Sequence, residues 1–438
     1  MLRITPPPGI ELHVGTLREA LINTLVARQR GEGLLLRFDD TDPTHSERGH
    51  PETIKQLLEK FAVQPERTHY RSERLGRYQQ LAVALVERGE AFLCICGEKE
   101  PEHEGAAAPA EESPRRYSGR CLGMEAQELR RIREEKIPYT IRIRKPLESI
   151  CFTDGLRGEV CASPSEVDHF VLLRADGKPS SLFAEACDDM LDGISTVIAG
   201  EDDLPRTPRR IHALRSLGYA GPIGYLHLPP LLDGEGRRFT GRDDRGSVRG
   251  LLEEGFLPDA IINHLLELGC EPPTEIFTLP DAVEWFDPEK LSVEPVRFDP
   301  ERLRYLNREH LRRMDDRTLS RIFGFADEDI GRLAKVYLQE TSSINGLMER
   351  IRTLFAPKTC EGRDGDAMRR LSALILDAPY MESFDEFVRY LSRHSDLEGD
   401  ALAGPLRRLL TGADSGPELG EIYPHIKFYI TEIARCQH

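Results

Sequence analysis

Long apolar stretches are missing from this chain of 438 residues. Its apolar runs are far shorter than the roughly 20 residues that a membrane-spanning helix needs, and its mean hydropathy is −0.43. The chain also opens without the charged, apolar and small-residue succession of a secretory signal peptide. These absences argue against a membrane protein or a secreted protein, and we expect a cytoplasmic location.

Positive charge and aromatic residues are also scarce. The 59 lysine and arginine residues are outnumbered by 75 aspartate and glutamate residues, which leaves a formal net charge of −16. A protein that attracts nucleic acid by its overall charge has the opposite balance. One tryptophan and an aromatic content of 7% give no indication of a platform on which single-stranded bases would stack. Nucleic-acid binding would therefore depend on local basic faces.

A framework of disulfides is not expected either. The nine cysteines belong to a chain expected in a reducing compartment, so we predict free thiols or metal ligands. Cys94 and Cys96, with Cys121 further on, can supply three thiolates to a tetrahedral ion. Because the usual spacing has two residues between paired cysteines, the spacing alone leaves three unligated thiols equally open. The other cysteines are predicted to be core or surface thiols: Cys151, Cys161, Cys187, Cys270, Cys360 and Cys436.

The first forty residues predict a strand–helix–strand unit. Residues 2–4 precede three prolines, apolar positions at helical spacing follow between residues 17 and 26, and residues 34–38 are a second strand. A helix N-terminus in such a unit has free backbone N–H groups that suit a phosphate. Gly15 would let the backbone approach the phosphate, and His13 could donate to it. The alternative is that His13 only caps the turn and Gly15 is there for packing.

Strands and helices alternate again further along. The acidic turn at 39–42 leaves the carboxyl end of a strand, where parallel α/β sheets bind ligands. Short strands are expected between residues 137 and 173, and helix and strand alternate from 182 to 228, before a nearly continuous helical pattern from Val248 onward. We therefore predict an α/β protein: a split doubly wound, Rossmann-like domain with an α+β insertion, followed by an all-helical C-terminal half.

Several short runs occur in an order that spans almost the whole chain. The first is His13-Val14-Gly15-Thr16, and Asp40-Thr41-Asp42 follows it. The others lie at 70–74, 117–121, 156–159, 168–176, 200–202, 207–209, 247–249, 254–258, 405–408 and 410–412. Their residue types and their order resemble the bacterial glutamyl-tRNA synthetase family of class I aminoacyl-tRNA synthetases.

The resemblance implies that ATP, with Mg²⁺, activates an amino acid as an adenylate and that tRNA then takes the acyl group at its 3′ end. Negative charge gathers on the α-phosphate in the transition state, so positioned donors matter more than a base. His13, Arg238 and Arg242 would be the catalytic donors. The implied ATP-binding residues are His13, Gly15, Thr16, Glu201, Arg238, Thr240 and Arg242.

The resemblance also implies five segments. Residues 1–93 and 179–246 would be the two halves of the nucleotide-binding catalytic domain. Residues 94–178 would be an inserted subdomain that binds the tRNA acceptor end and carries the candidate zinc site. Residues 247–318 would contact the tRNA stem, and residues 319–438 would form a helical domain similar to an anticodon-binding domain.

Two regions depart from the family pattern. In the phosphate-binding loop the family has Lys-Leu-Ser-Lys-Arg, where this chain has Arg238-Phe239-Thr240-Gly241-Arg242. Gly241 therefore removes an ammonium that would contact the phosphates. The amino-acid pocket keeps the family's first arginine as Arg3, but several of its other positions differ. Pro7, Asp39, Ser181, Glu185 and Ala199 stand where the family has a serine, a glutamate, a tyrosine, an asparagine and an arginine.

The pocket substitutions bear on the substrate. The implied pocket is formed by Arg3, Thr5, Pro7, Asp39, Ser181, Glu185 and Ala199. Glu185 and Ala199 each make it more negative, and an unpaired buried acid that faces the substrate carboxylate would repel it. Neutral drift is the alternative at each position. Asp39 and Glu185 would suit a substrate with an additional amine.

Zinc and tRNA are the other implied ligands. Family members bind zinc through similar Cys-x-Cys and Tyr-x-x-x-Cys pairs, so the resemblance implies Cys94, Cys96, Tyr117 and Cys121 as ligands. Arginines are grouped at 206–215, 237–249 and 302–317. These groups could follow a phosphate backbone, and a solvated helix face with neutralising acids is the alternative for each of them.

The expected function is that of a glutamyl-tRNA synthetase-like ligase with a remodelled amino-acid pocket. It would bind ATP, tRNA and an amino acid or related small carboxylate, as a monomer. Two alternatives stay open. One is a paralogue that activates a different acid, for example an amine-bearing one, outside translation. The other is a catalytically silent protein that binds tRNA or regulates.

Overall fold

The computed structural model describes residues 1–7, 9–41, 50–96, 117–239, 246–362 and 364–437. The chain forms two compact units. Unit 1 consists of Met1–Val248 and Leu265–Phe298, and unit 2 consists of Arg249–His264 and Asp299–His438. Among the described helices, none is both long and apolar enough to cross a bilayer.

The described strands lie mainly in unit 1. They are β1 (Leu2–Ile4), β2 (Leu34–Phe38), β3 (Arg67–Tyr70), β4 (Ala91–Cys94), β5 (Thr140–Ile143), β6 (Ile150–Asp154), β7 (Gly158–Ala162), β8 (Val171–Leu173), β9 (Thr196–Gly200), β10 (Gly224–Leu228), β11 (Leu231–Leu232), β12 (Val296–Arg297), β13 (Lys358–Thr359) and β14 (Cys436–Gln437).

The described helices of unit 1 lie between its strands along the chain, and most of the described helices after Val248 belong to unit 2. They are α1 (Val14–Arg30), α2 (Pro51–Lys60), α3 (Leu75–Glu87), α4 (Ala126–Glu134), α5 (Pro164–Val167), α6 (Ser181–Leu191), α7 (Thr207–Ser216), α8 (Val248–Glu253), α9 (Pro258–Glu267), α10 (Leu279–Trp285), α11 (Pro300–Arg313), α12 (Asp316–Ile322), α13 (Asp329–Val336), α14 (Ile344–Phe355), α15 (Gly365–Leu376), α16 (Phe384–Ser395), α17 (Asp400–Thr411), α18 (Leu419–Ile426) and α19 (Ile430–Ile433).

The main sheet of unit 1 is parallel except at one edge. Its described strands run in the order β3-β2-β1-β9-β10-β6-β7, and β7 alone pairs antiparallel, with β6. The strand order reverses between β1 and β9, which is the point where open parallel sheets bind ligands beyond the carboxyl ends of their strands. The predicted doubly wound, Rossmann-like architecture is confirmed.

Strands of the central part of the chain are shared between two sheets. From 137 to 173 the sequence predicts an inserted group of short strands. The structure pairs β5 and β8 with β4 in a separate antiparallel sheet, whereas β6 and β7 extend the edge of the main sheet. Sequence periodicity identifies a strand, but it does not identify the neighbour of that strand.

Helix α1 is the helix predicted after the proline turn, and it is deeply buried. The apolar positions that predicted it are buried: Leu17, Leu21, Ile22, Leu25 and Val26. Gly31 ends the helix with φ of 63°, a left-handed conformation that glycine adopts without a steric penalty. The helix therefore presents a fixed N-terminus next to the carboxyl end of β1.

Unit 2 has a helical core. Leucine, isoleucine and aromatic side chains from α11 to α19 form one buried cluster, with Leu333, Leu371, Leu409 and Ile422 fully enclosed. The predicted helical C-terminal half is confirmed.

The expectation of free thiols is wrong for four cysteines. Cys151 and Cys161 lie directly opposite each other on β6 and β7, with Cα atoms 4.1 Å apart, and form a disulfide. Cys360 and Cys436 form a second disulfide, with Cα atoms 5.6 Å apart. The parallel pairing of β13 with β14 brings these two residues together although they are 76 positions apart in sequence. The described free cysteines are Cys94, Cys96, Cys121, Cys187 and Cys270.

Candidate active site and metal centre

His13 is the N-cap of α1. Its Nδ1 accepts a hydrogen bond of 3.1 Å from the backbone N–H of Gly15, and its Nε2 lies 3.1 Å from Oγ1 of Thr16. Burial lowers the pKa of His13, so the ring is neutral near pH 7. Since Nδ1 accepts, the ring proton is on Nε2. The side chain therefore caps the helix and also carries a single N–H donor beside the first turn.

Gly15 leaves room for the ring of His13. A Cβ at Gly15 would lie 2.9 Å from Cε1 of the His13 ring, closer than carbon atoms pack. The sequence left two interpretations of this pair open, namely phosphate binding or local capping and packing. The capping and the packing are present in the structure, and the Nε2–H of His13 is directed at Oγ1 of Thr16.

The loop predicted to contact phosphates has both of its ends at this region. Arg238, the first residue of the loop, forms ion pairs with Asp202 and, at 3.5 Å, with Glu201. After the loop, the carbonyl of Gly246 accepts a hydrogen bond of 2.9 Å from the N–H of Val14, and Ser247 pairs with His13. Thr240, Gly241 and Arg242 lie outside the described residues.

Glu201 is oriented from a second side by Arg157. The Arg157 guanidinium lies 3.1 Å from Glu201 and also donates to the carbonyl of His227. Arg157 is held in turn by Asp154, whose Oδ1 accepts from the backbone N–H groups of Leu156 and Arg157. Sequence reasoning missed this contact because Arg157 precedes Glu201 by 44 residues.

The predicted substrate arginine, Arg3, is fixed by a buried carboxylate. Its Nε donates to Oδ1 of Asp189 at 2.9 Å, and its Nη1 donates to Thr5 at 3.2 Å. The same Asp189 oxygen accepts from Nη1 of Arg37 at 2.8 Å. Arg3, Arg37 and Asp189 are almost entirely buried, so the position of Arg3 is set by residues on β2 and α6.

Glu185 is paired, and the expected repulsion by an unpaired acid is therefore wrong. Its carboxylate lies 3.0 Å from Arg210 and 3.7 Å from Arg206, and Ser181 donates to it at 3.0 Å. Burial alone would raise the pKa of Glu185, but Arg206, Arg210, Arg3 and Arg71 hold the pKa well below its usual range. The two residues flagged as departures, Ser181 and Glu185, thus belong to one neutralised cluster.

Asp39 is neutralised in the same way. It forms an ion pair with the buried Arg71 and accepts hydrogen bonds from the N–H and the hydroxyl of Thr41, at 3.2 and 2.6 Å. Of the remaining predicted pocket positions, Ala199 is buried on β9, whereas the side chain of Pro7 is exposed.

Glu19 is a titratable residue of this region that sequence reasoning missed. It lies one turn after Thr16 on α1. Burial raises the pKa of Glu19 to about 7, and the charges of Arg3 and Asp203 and the backbone of Gly200 also act on it. The spacing of three residues from Thr16 is the signal that could have identified it.

The candidate zinc ligands lie together. The sulfur atoms of Cys94, Cys96 and Cys121 are within 4.8 Å of one another, and the Tyr117 hydroxyl accepts from the N–H of Cys121 at 2.8 Å. Burial would raise the pKa of Cys94, but hydrogen bonds from the Cys96 backbone and from the Tyr117, Cys96 and Arg142 side chains lower it, which favours the thiolate. The three clustered sulfurs supply three of the four donors of a tetrahedral Zn²⁺ site, and Tyr117 is the candidate for the fourth.

Several arginines of the groups predicted to follow a phosphate backbone are paired with acidic residues. Arg210 is fully buried against Glu185 and Asp203, so it cannot reach a nucleic acid, and its assignment to a phosphate-tracking face is wrong. On α11, Arg304 and Arg312 pair with Glu301 and Glu309, as the alternative of a helix face with neutralising acids requires.

Comparison with known proteins identifies the class. A family model described as "tRNA synthetases class I (E and Q), catalytic domain" matches residues 1–305. This chain has the same fold as a solved structure, that of a glutamate tRNA ligase from Elizabethkingia meningosepticum in complex with its amino acid. The TM-score is 0.80 at 23% identity, over 99% of this chain and 98% of that chain. The fold and the matched domain are those of a class I aminoacyl-tRNA synthetase.

Curated relatives narrow the class to one family. "Glutamate--tRNA ligase 2" of Sulfurovum sp. is 45% identical over 99% of this chain and 100% of its own length. "Glutamate--tRNA ligase 2" of Sulfurimonas denitrificans is 39% identical with the same coverage. The chain belongs to the glutamyl-tRNA synthetase family and is an enzyme of the glutamate–tRNA ligase type. Membership implies ATP, tRNA and an amino acid as substrates.

Proposed function

We propose that this protein activates glutamate with ATP and transfers the glutamyl group to tRNA in the cytoplasm, through a pocket whose added acids are internally neutralised. The ion pairing of Glu185 with Arg206 and Arg210 carries this proposal. A free carboxylate would oppose the binding of a dicarboxylic amino acid, whereas a carboxylate enclosed by cations does not. Arg3 would receive a substrate carboxylate through a guanidinium N–H that Asp189 and Thr5 do not use.

The ATP part of the proposal rests on the N-terminus of α1. The positive end of its dipole would face the phosphates, the Nε2–H of His13 would donate to them in place of Thr16, and Glu201 would accept from the ribose hydroxyls. Mg²⁺ bound with ATP would offset phosphate charge. Thr240 and Arg242 are proposed as further phosphate contacts on the strength of family resemblance.

ATP–pyrophosphate exchange over all twenty amino acids, with and without bacterial tRNA, tests the substrate. We expect exchange with glutamate. Exchange with another acid and not with glutamate would establish the paralogue that acts on a different substrate. Absence of exchange with every amino acid, together with retained tRNA binding, would establish the silent tRNA-binding protein.

Zinc is proposed at Cys94, Cys96, Cys121 and Tyr117, where it would join the segments that hold these ligands and so have a structural role. We predict about one zinc ion per chain by metal analysis. Cys121→Ser should lose the metal and lower the melting temperature, because it removes one of three thiolates. Cys270→Ser, which changes a described free cysteine outside the cluster, is the matched control. Purified protein with no zinc would rule the site out.

A further inference from the structure

Two aromatic side chains of unit 2 are unusually exposed for their type. Tyr380 precedes α16 and is 59% exposed, and Phe428 follows α18 and is 65% exposed. Their rings are stacked, with centroids 5.7 Å apart and an angle of 19° between the planes. Exposed aromatic rings keep an unfavourable contact with water, which a flat partner would remove. The low aromatic content of the sequence gave no indication of such a pair.

A cation and a carboxylate fix the pair in place. The Lys427 ammonium lies 5.8 Å from the Tyr380 ring centroid and 5.4 Å from the Phe428 centroid. Glu382 accepts from Lys427 at 2.5 Å and from the Tyr380 hydroxyl at 2.6 Å. The rings are therefore presented as a preorganised surface, since two elements separated in sequence are joined by an ion pair and a hydrogen bond.

We propose that Tyr380, Phe428 and Lys427 form a stacking platform for an unpaired nucleobase of tRNA. The proposal deepens the proposed function, since it rests on tRNA being the substrate. Aromatic rings assisted by a cation are the groups on which proteins stack unpaired bases.

The size and charge of the platform favour a base over other partners. The exposed parts of two aromatic side chains amount to about 250 Å², well below the roughly 800 Å² per partner of a stable protein interface. Because Glu382 offsets the charge of Lys427, the platform does not select a phosphate. A single flat ring of low charge matches both properties.

The test is equilibrium binding of the full-length protein to a transcript of a bacterial glutamate-accepting tRNA. Phe428→Ala should weaken binding about 5- to 150-fold, the range measured for the loss of one stacked base. Phe428→Tyr keeps a flat ring and should bind as the wild type does. Leu376→Ala removes an exposed apolar side chain of the same unit, 48% exposed, and should leave binding unchanged.

The source of the base is identified by combining protein and RNA changes. One transcript carries abasic nucleotides at the unpaired positions of the anticodon loop, and another lacks the unpaired 3′-terminal nucleotides. With the transcript that lacks the stacked base, wild-type protein should lose affinity and Phe428→Ala should lose no more. Additive losses with both transcripts would overturn the platform, as would unchanged binding by Phe428→Ala.

Two further outcomes are distinguishable. If Phe428→Ala changes the sedimentation of the protein and not its tRNA binding, the surface contacts protein and the proposal is wrong. If glutamate is not transferred, yet the coupling between Phe428 and the abasic transcript persists, the proposed function fails and the platform stands.

Discussion

The Glu185 carboxylate owes its behaviour to residues far from it in sequence. Ser181 is on the same helix as Glu185, whereas Arg206 and Arg210 lie at and on the next helix, α7. All three side chains contact the Glu185 carboxylate. A substitution judged alone looks like added negative charge. Together with Arg206 and Arg210, Glu185 forms an ion-pair cluster. A comparison of single positions cannot detect these partners, and it therefore led to the wrong expectation of a repulsive pocket.

Arg206 is expected to act on glutamate rather than on ATP. Replacing it by leucine removes a cation that faces Glu185 while Arg210 keeps the cluster folded. We predict a rise of roughly 10-fold or more in the KM for glutamate, as expected for the loss of one charge-assisted contact, with the KM for ATP unchanged. Steady-state aminoacylation kinetics measure both constants.

Arg209→Leu is the control for that change. Arg209 donates to the backbone carbonyls of Val167 and Glu166 and not to the Glu185 carboxylate. Equal effects of the two substitutions on the KM for glutamate would mean that Arg206 acts only through the stability of α7.

Glu19 predicts a dependence of stability on pH. Its pKa is raised by burial from 4.5 to about 7, so between these values the folded protein holds a proton that the unfolded chain releases. The free energy of unfolding should therefore fall by about 1–3 kcal/mol as pH rises from 4.5 to 7. Urea unfolding at pH 5 and pH 7.5 measures this change.

The contribution of Glu19 is isolated by substitution. Glu19→Gln carries no titrating proton, so its free energy of unfolding should change less between the two pH values than that of the wild type. The same change with pH in both proteins would show that Glu19 is not the group responsible.

His227 connects several elements through one imidazole. Its Nδ1 donates to Asp154 at 2.7 Å, and its Nε2 lies 2.9 Å from Oγ1 of Thr207 at the start of α7. All three side chains are buried, so the arrangement resembles a catalytic triad but has no access to substrate. It ties β6, β10 and α7 together and, through Arg157, keeps Glu201 in place.

Removing the imidazole should cost stability. Burial alone would raise the pKa of Asp154. Hydrogen bonds from His227 and from the Leu156 and Arg157 backbone outweigh burial and hold the pKa below its ordinary value. His227→Leu leaves this buried carboxylate without its side-chain donor, and we predict a loss of about 3 kcal/mol in the free energy of unfolding. His227→Gln retains a donor and should lose less. Equal losses in chemical denaturation would contradict this account.

Elements differ in how far the sequence predicts them. Helix α1 and strand β2 are set by local patterns, and the sequence predicts both. The place of β6 and β7 in the main sheet depends on the pairing of Tyr225 with Asp154, a long-range contact that no local pattern records. In the site, His13 and Glu201 follow from motifs, whereas Arg157, Asp189 and Glu19 are found only through their spatial neighbours.

The two disulfides should contribute unequally to the stability of the molecule. Cys151 and Cys161 close a loop of 10 residues that a hairpin already holds, whereas Cys360 and Cys436 close one of 76 residues. Loop-closure entropy gives about 2.7 kcal/mol for the first and about 4.5 kcal/mol for the second. We predict that Cys436→Ser lowers the free energy of unfolding more than Cys161→Ser.

Calorimetry under oxidising and reducing conditions checks that order. In a reducing buffer both variants should match the wild type, since neither bond is then present. A larger loss for Cys161→Ser under oxidising conditions would contradict the prediction.

The two units are interleaved along the chain, which passes from one to the other after Val248, after His264 and after Phe298. During synthesis, the segment Arg249–His264 leaves the ribosome before unit 1 is complete, and it must wait for Asp299 and all that follows before its own unit can form. A gene shortened at the end of unit 1 would still encode this piece of unit 2. Loss of the helical unit by a single terminal deletion would therefore leave a remnant behind, and a clean catalytic fragment requires three cuts and a new join.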